Sequence, residues 1–331
     1  MVSITILSTV KNINSTVHQW IDSIISQEFD EDFDVVIIDS CSSDGTKEVL
    51  ENYARRHHRM RVEEFESTQP AALNYALDNF ISSDLTCLID GDCIAPKNWL
   101  STLYRTLKEK HVDAVGGPGF TPPNANIIQK LIGLDLDTRF LSIPQGPVKR
   151  HPNMNLLIKS DILKNLRFKE EFEVGYDTEF GYRLNSKGYK MFYEPKAFVW
   201  HYHRASIRGY SKQQFLTGKY AFLLYMNMLA GLGGDNINPL AMILQPLCFG
   251  LIMLSIALLL IDFKFIIVLV LLLIFLFLLF TSEIIKAFKI NRKKSVLLLY
   301  ILYAIRLPIW ILGGLSGFIL YLQIKLYEIL S

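Results

Sequence analysis

The chain has 331 residues, 50% hydrophobic and 20% charged, with a formal net charge of +2, and this length predicts one large soluble domain plus a second part. From Pro239 onward stand 8 of the 34 Lys+Arg and 3 of the 32 Asp+Glu, which leaves 26 basic and 29 acidic residues ahead of it. The slightly acidic front argues against a nucleic-acid partner, which needs a basic face for phosphates, whereas the sparsely charged basic tail points to a membrane.

The first 120 residues alternate between strand and helix. Val2–Ser8 is a short apolar, β-branched run without a basic lead, read as a strand and not a signal peptide. Val17, Trp20, Ile21, Ile24 and Ile25 then recur at helical spacing, with Asn14 or Ser15 as N-cap. Phe33–Asp39 is a second buried strand, followed by the turn Ser40–Gly45 and a helix from Thr46 to about Arg56. Arg61–Phe65 is a third strand, and a helix from Pro70 to about Phe80 opens with proline. Leu85–Asp90 is the fourth strand, Pro96–Lys110 another helix, and Val112–Val115 closes the series. Such alternation predicts an α/β fold with a mostly parallel sheet and helices on both faces, and ligands at the carboxyl ends of the strands.

From Thr121 to about Gly175 the pattern loosens into prolines and short helical stretches. Asp177–Ser186 reads as a helix ending at Lys187-Gly188. Met191–Tyr193 and Ala197–Trp200 read as short strands around Pro195, and Ile207–Met228 as an amphipathic helix for a membrane surface or a packed interior. Three apolar segments follow. Leu240–Ile261 and Phe265–Ser282 hold 22 and 18 uncharged residues, close to the ~20 needed to span a bilayer. The third, Val296–Ile324, is interrupted by Arg306 and Pro308, and reads as a span over 307–324 behind an interfacial helix, or as one long tilted helix. These segments divide the chain into a catalytic part, 1–235, and a membrane part, 236–331. The basic stretch between the second and third spans (Lys286, Lys289, Arg292, Lys293, Lys294) predicts that loop, and with it the soluble domain, on the cytoplasmic side of the cell membrane. Cys41, Cys87, Cys93 and Cys248 form no CxxC pair and read as reduced thiols.

The chemistry concentrates in Leu85-Thr86-Cys87-Leu88-Ile89-Asp90-Gly91-Asp92, a buried strand ending in two carboxylates around a glycine. Neighbouring carboxylates repel unless a cation neutralises them, and hard oxygen ligands suit Mg²⁺ or Mn²⁺. Gly91 frees the backbone to turn and admits a ligand closely. Asp39 ends another buried strand on the same edge, in Asp39-Ser40-Cys41-Ser42-Ser43-Asp44-Gly45-Thr46. The Arg- and His-rich stretch 55–61 reads as a solvated basic face, and Asn14-Ser15-Thr16 as an idle glycosylation match. Arg306, inside an apolar stretch, suggests a lipid-phosphate contact.

Taken in order, these motifs resemble the glycosyltransferase family 2 enzymes of the GT-A (Rossmann-like) fold. Ser8-Thr9-Val10-Lys11-Asn12, the Asp39–Thr46 stretch, Ala71-Ala72-Leu73-Asn74, Asp90-Gly91-Asp92, Gly175–Arg183, Gly188-Tyr189-Lys190 and Val199–Arg204 follow one another over residues 1–220, and the tail is similar to the membrane-anchored branch. The resemblance implies a nucleotide-diphosphate-sugar donor of the UDP or GDP type held over 1–120, and an acceptor side over 121–235. It further implies Thr9 and Asp39 at the nucleobase, Asp90 with Gly91 at the ribose, and Asp92 with His201 on a Mg²⁺ or Mn²⁺ ion. Asp177 would be the general base and Glu179 a substrate contact or substitute base, unless it pairs with Arg183. Gln69-Pro70 replaces the family's Gly-Lys, and Tyr176 replaces the Glu before the base. The expected activity is inverting transfer to a hydroxyl of a lipid-linked or polysaccharide acceptor. Alternatives are a polyprenyl-phosphate sugar synthase and an inactive membrane scaffold. A Gln-x-x-Arg-Trp signature is missing, which favours adding one or a few sugars.

Overall fold

The computed structural model of the chain describes residues 2–228 and 232–330. They fall into two compact units, 1–124 with 143–203, and 125–142 with 204–331. The division therefore does not fall at residue 235: helices on either side of that point group with the apolar tail.

The first unit is built on β1 (Ile4–Val10), β2 (Phe33–Asp39), β3 (Met60–Glu64) and β4 (Leu85–Ile89). Every residue of β1 is buried, as expected of a strand with neighbours on both edges and helices on both faces. The strand order β3-β2-β1-β4 is parallel throughout, with Val10 opposite Asp39. The right-handed crossovers of such a sheet bring the ends of β1, β2 and β4 to one edge.

Helix α1 (Val17–Ile25) buries Val17, Trp20, Ile21 and Ile24, one helical stripe. Its N-cap is Thr16, not Asn14 or Ser15; the Asn14 N–H instead donates to Asp44 at 3.0 Å. Helices α2 (Thr46–Ala54), α3 (Gln69–Asn79) and α4 (Trp99–Lys110) complete this half, with β5 (Cys93–Ile94) between the last two.

Beyond it the sheet turns mixed. β6 (Ala114–Gly116), β8 (Gly146–Val148), β9 (Asn155–Lys159) and β10 (Met191–Tyr193) extend the order to β3-β2-β1-β4-β9-β6-β10-β8. β9 runs antiparallel to both β4 and β6, and β8 antiparallel to β10, so "mostly parallel" holds for the front half. The loosely patterned stretch hid β9, whose Asn155 is fully buried and bonds Trp99, Pro118 and Ala197. Helices α6 (Ser160–Leu166) and α7 (Tyr176–Ser186) follow, and β7 (Gly119–Phe120) and β11 (Val199–His201) join β5 in a second sheet ordered β5-β11-β7.

The second unit holds α5 (Ile127–Leu141), α8 (Ile207–Asn227), α9 (Leu240–Leu258), α10 (Phe265–Asn291) and α11 (Leu299–Leu330). Helix α5 opens on a capping box in which Asn126 and Gln129 satisfy each other's backbone N–H groups. The last three helices are long and apolar enough to cross a membrane. In the most apolar stretch of α10 only 11% of residues are buried, a surface suited to hydrocarbon rather than water. Helix α11 continues through Pro308 without a break, so the third segment is one 32-residue helix, about 48 Å long.

Helix α8 packs along α11 through glycines. A Cβ at Gly313 would stand 2.2 Å from the Phe215 carbonyl oxygen, at Gly317 2.2 Å from that of Lys219, and at Gly218 2.5 Å from that of Trp310. Small residues that let backbones meet are the usual seam between helices in lipid, where apolar side chains gain little by leaving the solvent. A Gly317→Leu change is expected to force this seam open at a cost of about 3 kcal/mol or more. The check is a lowered melting temperature of the purified full chain in detergent, with Gly314→Ala, which meets open space, unchanged.

Candidate active site

The acidic turn after β4 is held from three sides. The Asp90 carbonyl accepts from Trp20 Nε1 at 3.0 Å and from the Cys93 N–H at 3.1 Å, while its carboxylate accepts from Gln69 Nε2 at 3.1 Å. Gly91 does not have a left-handed backbone. Its requirement is close packing, because a Cβ would lie 2.9 Å from Val10 Cγ1. The Asp92 carbonyl accepts from the Tyr202 N–H at 2.9 Å, which ties the turn to the end of β11.

The antiparallel pairing of β11 with β5 sets His201 opposite Cys93. His201 Nε2 comes to 3.5 Å from Asp92 Oδ1, and Cys93 Sγ to 3.7 Å from the same oxygen. One ligand atom from each of Asp92, Cys93 and His201 lies within 4.8 Å of the others. Two cis ligands of an octahedral Mg²⁺ or Mn²⁺ stand about 3 Å apart, so the Asp92–His201 pair fits such an ion with a small closure. The thiol fits it less well. Cys93 is buried, and burial, followed by the charges of Asp92 and Asp90, pushes its thiol well above its ordinary value, which leaves it a poor partner for a hard cation.

Asp177 enters from α7. Gly175 precedes it at φ +79°, a left-handed N-cap that a β-branched residue could not adopt without strain. The Asp177 carboxylate accepts the Thr178 N–H at 2.7 Å. Burial raises its carboxyl above the ordinary range, against the opposing charge of Arg150. Burial, then repulsion from Asp92 and Asp177, pushes Asp90 up to about 7, with His201 and the Gln69 hydrogen bond acting the other way. Tyr176 is buried, and burial, then Asp90, Asp177 and Asp92, hold its phenol well up, so it stays neutral beside the acids. Asp90, Asp92, Asp177 and His201 thus share one electrostatic environment, as a site for a cation and a diphosphate requires.

The other expected residues fare differently. Thr9 lies on β1 opposite Ile38, one residue before the carboxyl end of the strand, and is buried. Asp39 is fully buried and accepts from the Ser42 N–H at 2.8 Å and the Ser42 hydroxyl at 2.5 Å. It therefore shapes its own turn rather than presenting a carboxylate to an open cleft. Ser42 Oγ also accepts the Asn12 N–H, and Asn12 Oδ1 accepts the Ser43 N–H, which latches the loops after β1 and β2 together.

Glu179 pairs with Arg183, the alternative that its spacing offered. It is fully buried, with both oxygens bonded to Arg183 at 2.8 and 2.7 Å and Lys169 3.4 Å away. The i,i+4 pairing won because a carboxylate with no exposure needs a cation beside it. Asn74 of the Ala-Ala-Leu-Asn stretch is equally structural: its amide bonds the Phe168 backbone twice and the Glu170 side chain once.

Sequence reasoning missed Trp20, Gln69 and Arg150. Gln69 carried a faint signal, standing where the family pattern departs from Gly-Lys; Trp20 read only as core, and nothing local marked Arg150 as a neighbour of Asp177.

The chain is similar to known glycosyltransferases. A model of "Glycosyltransferase like family 2" matches residues 4–216, more than half of the chain. Glycosyltransferase AglE of Haloferax volcanii is 24% identical over 230 residues, which cover 67% of this chain and 74% of that protein. Glycosyltransferase GlyA of Streptococcus pneumoniae is 26% identical over 115 residues, 34% of this chain and 16% of that one. Among solved structures, mannosyltransferase PcManGT from Pyrobaculum calidifontis, in complex with GDP-Man and Mn²⁺, superposes with a TM-score of 0.60 at 16% identity, covering 95% of this chain and 86% of its own. S. aureus TarS 1–349 in complex with UDP-GlcNAc gives 0.51 at 17%, covering 68% and 67%. With the GT-A-like fold and the acidic turn in place, this chain belongs to the glycosyltransferase-like family 2 and is a glycosyltransferase.

Proposed function

We propose that the chain is a metal-dependent, inverting glycosyltransferase that moves a sugar from a nucleotide-diphosphate-sugar to a hydroxyl of a membrane-associated acceptor. The gathering of Asp90, Asp92 and His201 at the end of β4, with Asp177 in the same field, carries this reading. Thr9 and the loop ordered by Asp39 border the nucleobase, and Asp90 with Gly91 meets the ribose. Asp92 and His201 hold a Mg²⁺ or Mn²⁺ ion. When bound, that ion supplies positive charge to the departing diphosphate. Asp177 accepts the proton of the acceptor hydroxyl as the oxygen attacks C1 from the face opposite the leaving group. Its burial-raised basicity suits that task. Arg150 and Thr178 keep the carboxylate ionised and aimed. PcManGT with GDP-Man and Mn²⁺ supports a nucleotide-sugar donor and a divalent cation of this kind.

The three apolar helices anchor the chain in the cell membrane, with the basic residues between α10 and α11 holding the catalytic unit on the cytoplasmic side.

The test is incubation of the detergent-solubilised full chain and a native lipid extract with labelled UDP- and GDP-sugars, with and without Mn²⁺. Label entering the lipid or polysaccharide fraction only with metal is the expected result. Transfer that is equal in EDTA removes the metal from the proposal, and no hydrolysis or transfer of any donor leaves the inactive scaffold. Mn²⁺ is also expected to raise the melting temperature of the wild-type chain, because it relieves the clustered carboxylates and binds only the folded state.

A further inference from the structure

Three different donor atoms meet at the acidic turn: a carboxylate oxygen of Asp92, the thiol sulfur of Cys93 and a ring nitrogen of His201, all within 4.8 Å of one another. Among the described residues no other three His, Cys, Asp or Glu side chains are grouped in this way. The proposed transfer chemistry uses the oxygen and the nitrogen. The sulfur is a soft donor that hard ions such as Mg²⁺ and Mn²⁺ do not call for.

The spacing itself separates the two kinds of ion. Cis ligands of an octahedral Mg²⁺ or Mn²⁺ stand about 3 Å apart. Around a tetrahedral zinc, with bonds of ~2.0–2.3 Å, oxygen, nitrogen and sulfur ligands stand roughly 3.3–3.6 Å apart. Asp92 Oδ1 is 3.5 Å from His201 Nε2 and 3.7 Å from Cys93 Sγ. Both separations sit closer to the tetrahedral edge than to the octahedral one.

Each ligand is held in place by the fold. The register of β5 and β11 sets His201 opposite Cys93, and the Tyr202 N–H on the Asp92 carbonyl ties the turn to the same strand. The His201 ring meets His203 edge-on, with centroids 4.6 Å apart at 69°, and His203 Nε2 lies 3.0 Å from Thr121 Oγ1. Gly119 of β7 leaves room beside it, since a Cβ there would stand 3.2 Å from the His201 Cβ. Outer contacts of this kind orient a histidine for a metal. Cys93, fully buried, closes the group from the interior, which leaves the fourth tetrahedral position to a water or a phosphate oxygen.

We propose that Asp92, Cys93 and His201 form a tetrahedral three-ligand site that takes Zn²⁺, or its thiophilic analogue Cd²⁺, in preference to Mn²⁺, with Cys93 as the deciding ligand. Coordination takes the proton off a ligating thiol outright, so each ion bound through Cys93 makes one metal–sulfur bond and releases one proton to solvent. Two anionic ligands then face the thiophilic dication, where Mn²⁺ meets only one. Sites of nitrogen, oxygen and sulfur favour Zn²⁺ over Mn²⁺ in general, and a thiolate widens that margin. Zn²⁺ thereby displaces the catalytic ion and holds transfer down. That consequence, unlike the binding, rests on the metal-dependent transfer reading.

The experiment is competitive titration of the full chain in detergent with Cd²⁺, Zn²⁺ and Mn²⁺. Its readouts are the ultraviolet sulfur-to-cadmium charge-transfer band and the electron paramagnetic resonance of free Mn²⁺. Wild type is expected to bind one Cd²⁺ with that band, to lose the band to excess Zn²⁺, and to release bound Mn²⁺ to either ion. Cys93→Ser is expected to lose the band and to lower the ratio of Zn²⁺ to Mn²⁺ affinity by about 100-fold or more, because only the thiophilic ion loses a ligand. Cys93→Ala takes its place if the serine variant does not fold. A merely structural thiol would weaken both ions alike, so an unchanged ratio overturns the proposal. A band that survives in Cys93→Ser, or that disappears in Cys41→Ser, the half-buried thiol, overturns it too. Zn²⁺ that leaves Mn²⁺-supported transfer intact overturns the displacement of the catalytic ion. A wild type without transfer in any ion removes the sugar-transfer reading, while the band and the ratio still decide this site.

Discussion

Replacing Asp177 by Asn is expected to lower the turnover of sugar transfer by roughly 10²–10⁴-fold, the usual worth of proton transfer to a positioned base. Donor affinity should persist, because Asn keeps the shape and still accepts the Thr178 N–H. The pH profile carries the sharper signature. A base works only when deprotonated, and burial raises the Asp177 carboxyl, so the acid limb of wild-type kcat/KM should lie above the ordinary carboxylate range. That limb should vanish in the variant. Unchanged turnover on a hydroxyl acceptor retires Asp177 as the base. Unchanged turnover on a polyprenyl phosphate, an acceptor already anionic, favours the synthase alternative.

Asp92→Asn is the second large effect. The substitution keeps size and hydrogen bonding while removing the only negative charge among Asp92, Cys93 and His201 in the metal-free protein. Loss of metal stabilisation at a departing diphosphate is worth several kcal/mol, about 10³-fold in rate or more. The Mn²⁺-dependent rise in melting temperature should disappear with it. His201→Asn should weaken Mn²⁺ binding less, since a neutral donor is lost rather than a charge. A variant lacking Asp92 that still turns over with wild-type Mn²⁺ dependence would falsify the assignment of this carboxylate to the metal.

The strand ends that carry chemistry were legible because buried strands are continuous apolar runs that stop at polar residues. Asp39 and Asp90 announced themselves in that way, and Gly188 marked the end of α7. Glu179 could be read two ways from spacing alone, and burial decided for Arg183. The region 121–175 was opaque for a different reason. β9 pairs with strands far away in the chain, and a five-residue central strand has no periodicity of its own to betray it. Helix α8 read as equally suited to a membrane surface or a packed interior until Gly313 and Gly317 were seen against its backbone.

By itself the amino-acid sequence determined the α/β class, the parallel front of the sheet, the acidic turn and the three apolar helices, because each follows from local pattern. Only the tertiary structure decided that His201 stands 3.5 Å from Asp92, that Arg150 bears on Asp177, that Trp20 and Gln69 brace Asp90, and that Asp135, Arg139 and Arg306 form one network. These are encounters between residues tens to hundreds of positions apart, fixed by strand register and helix packing. A linear pattern carries no record of them.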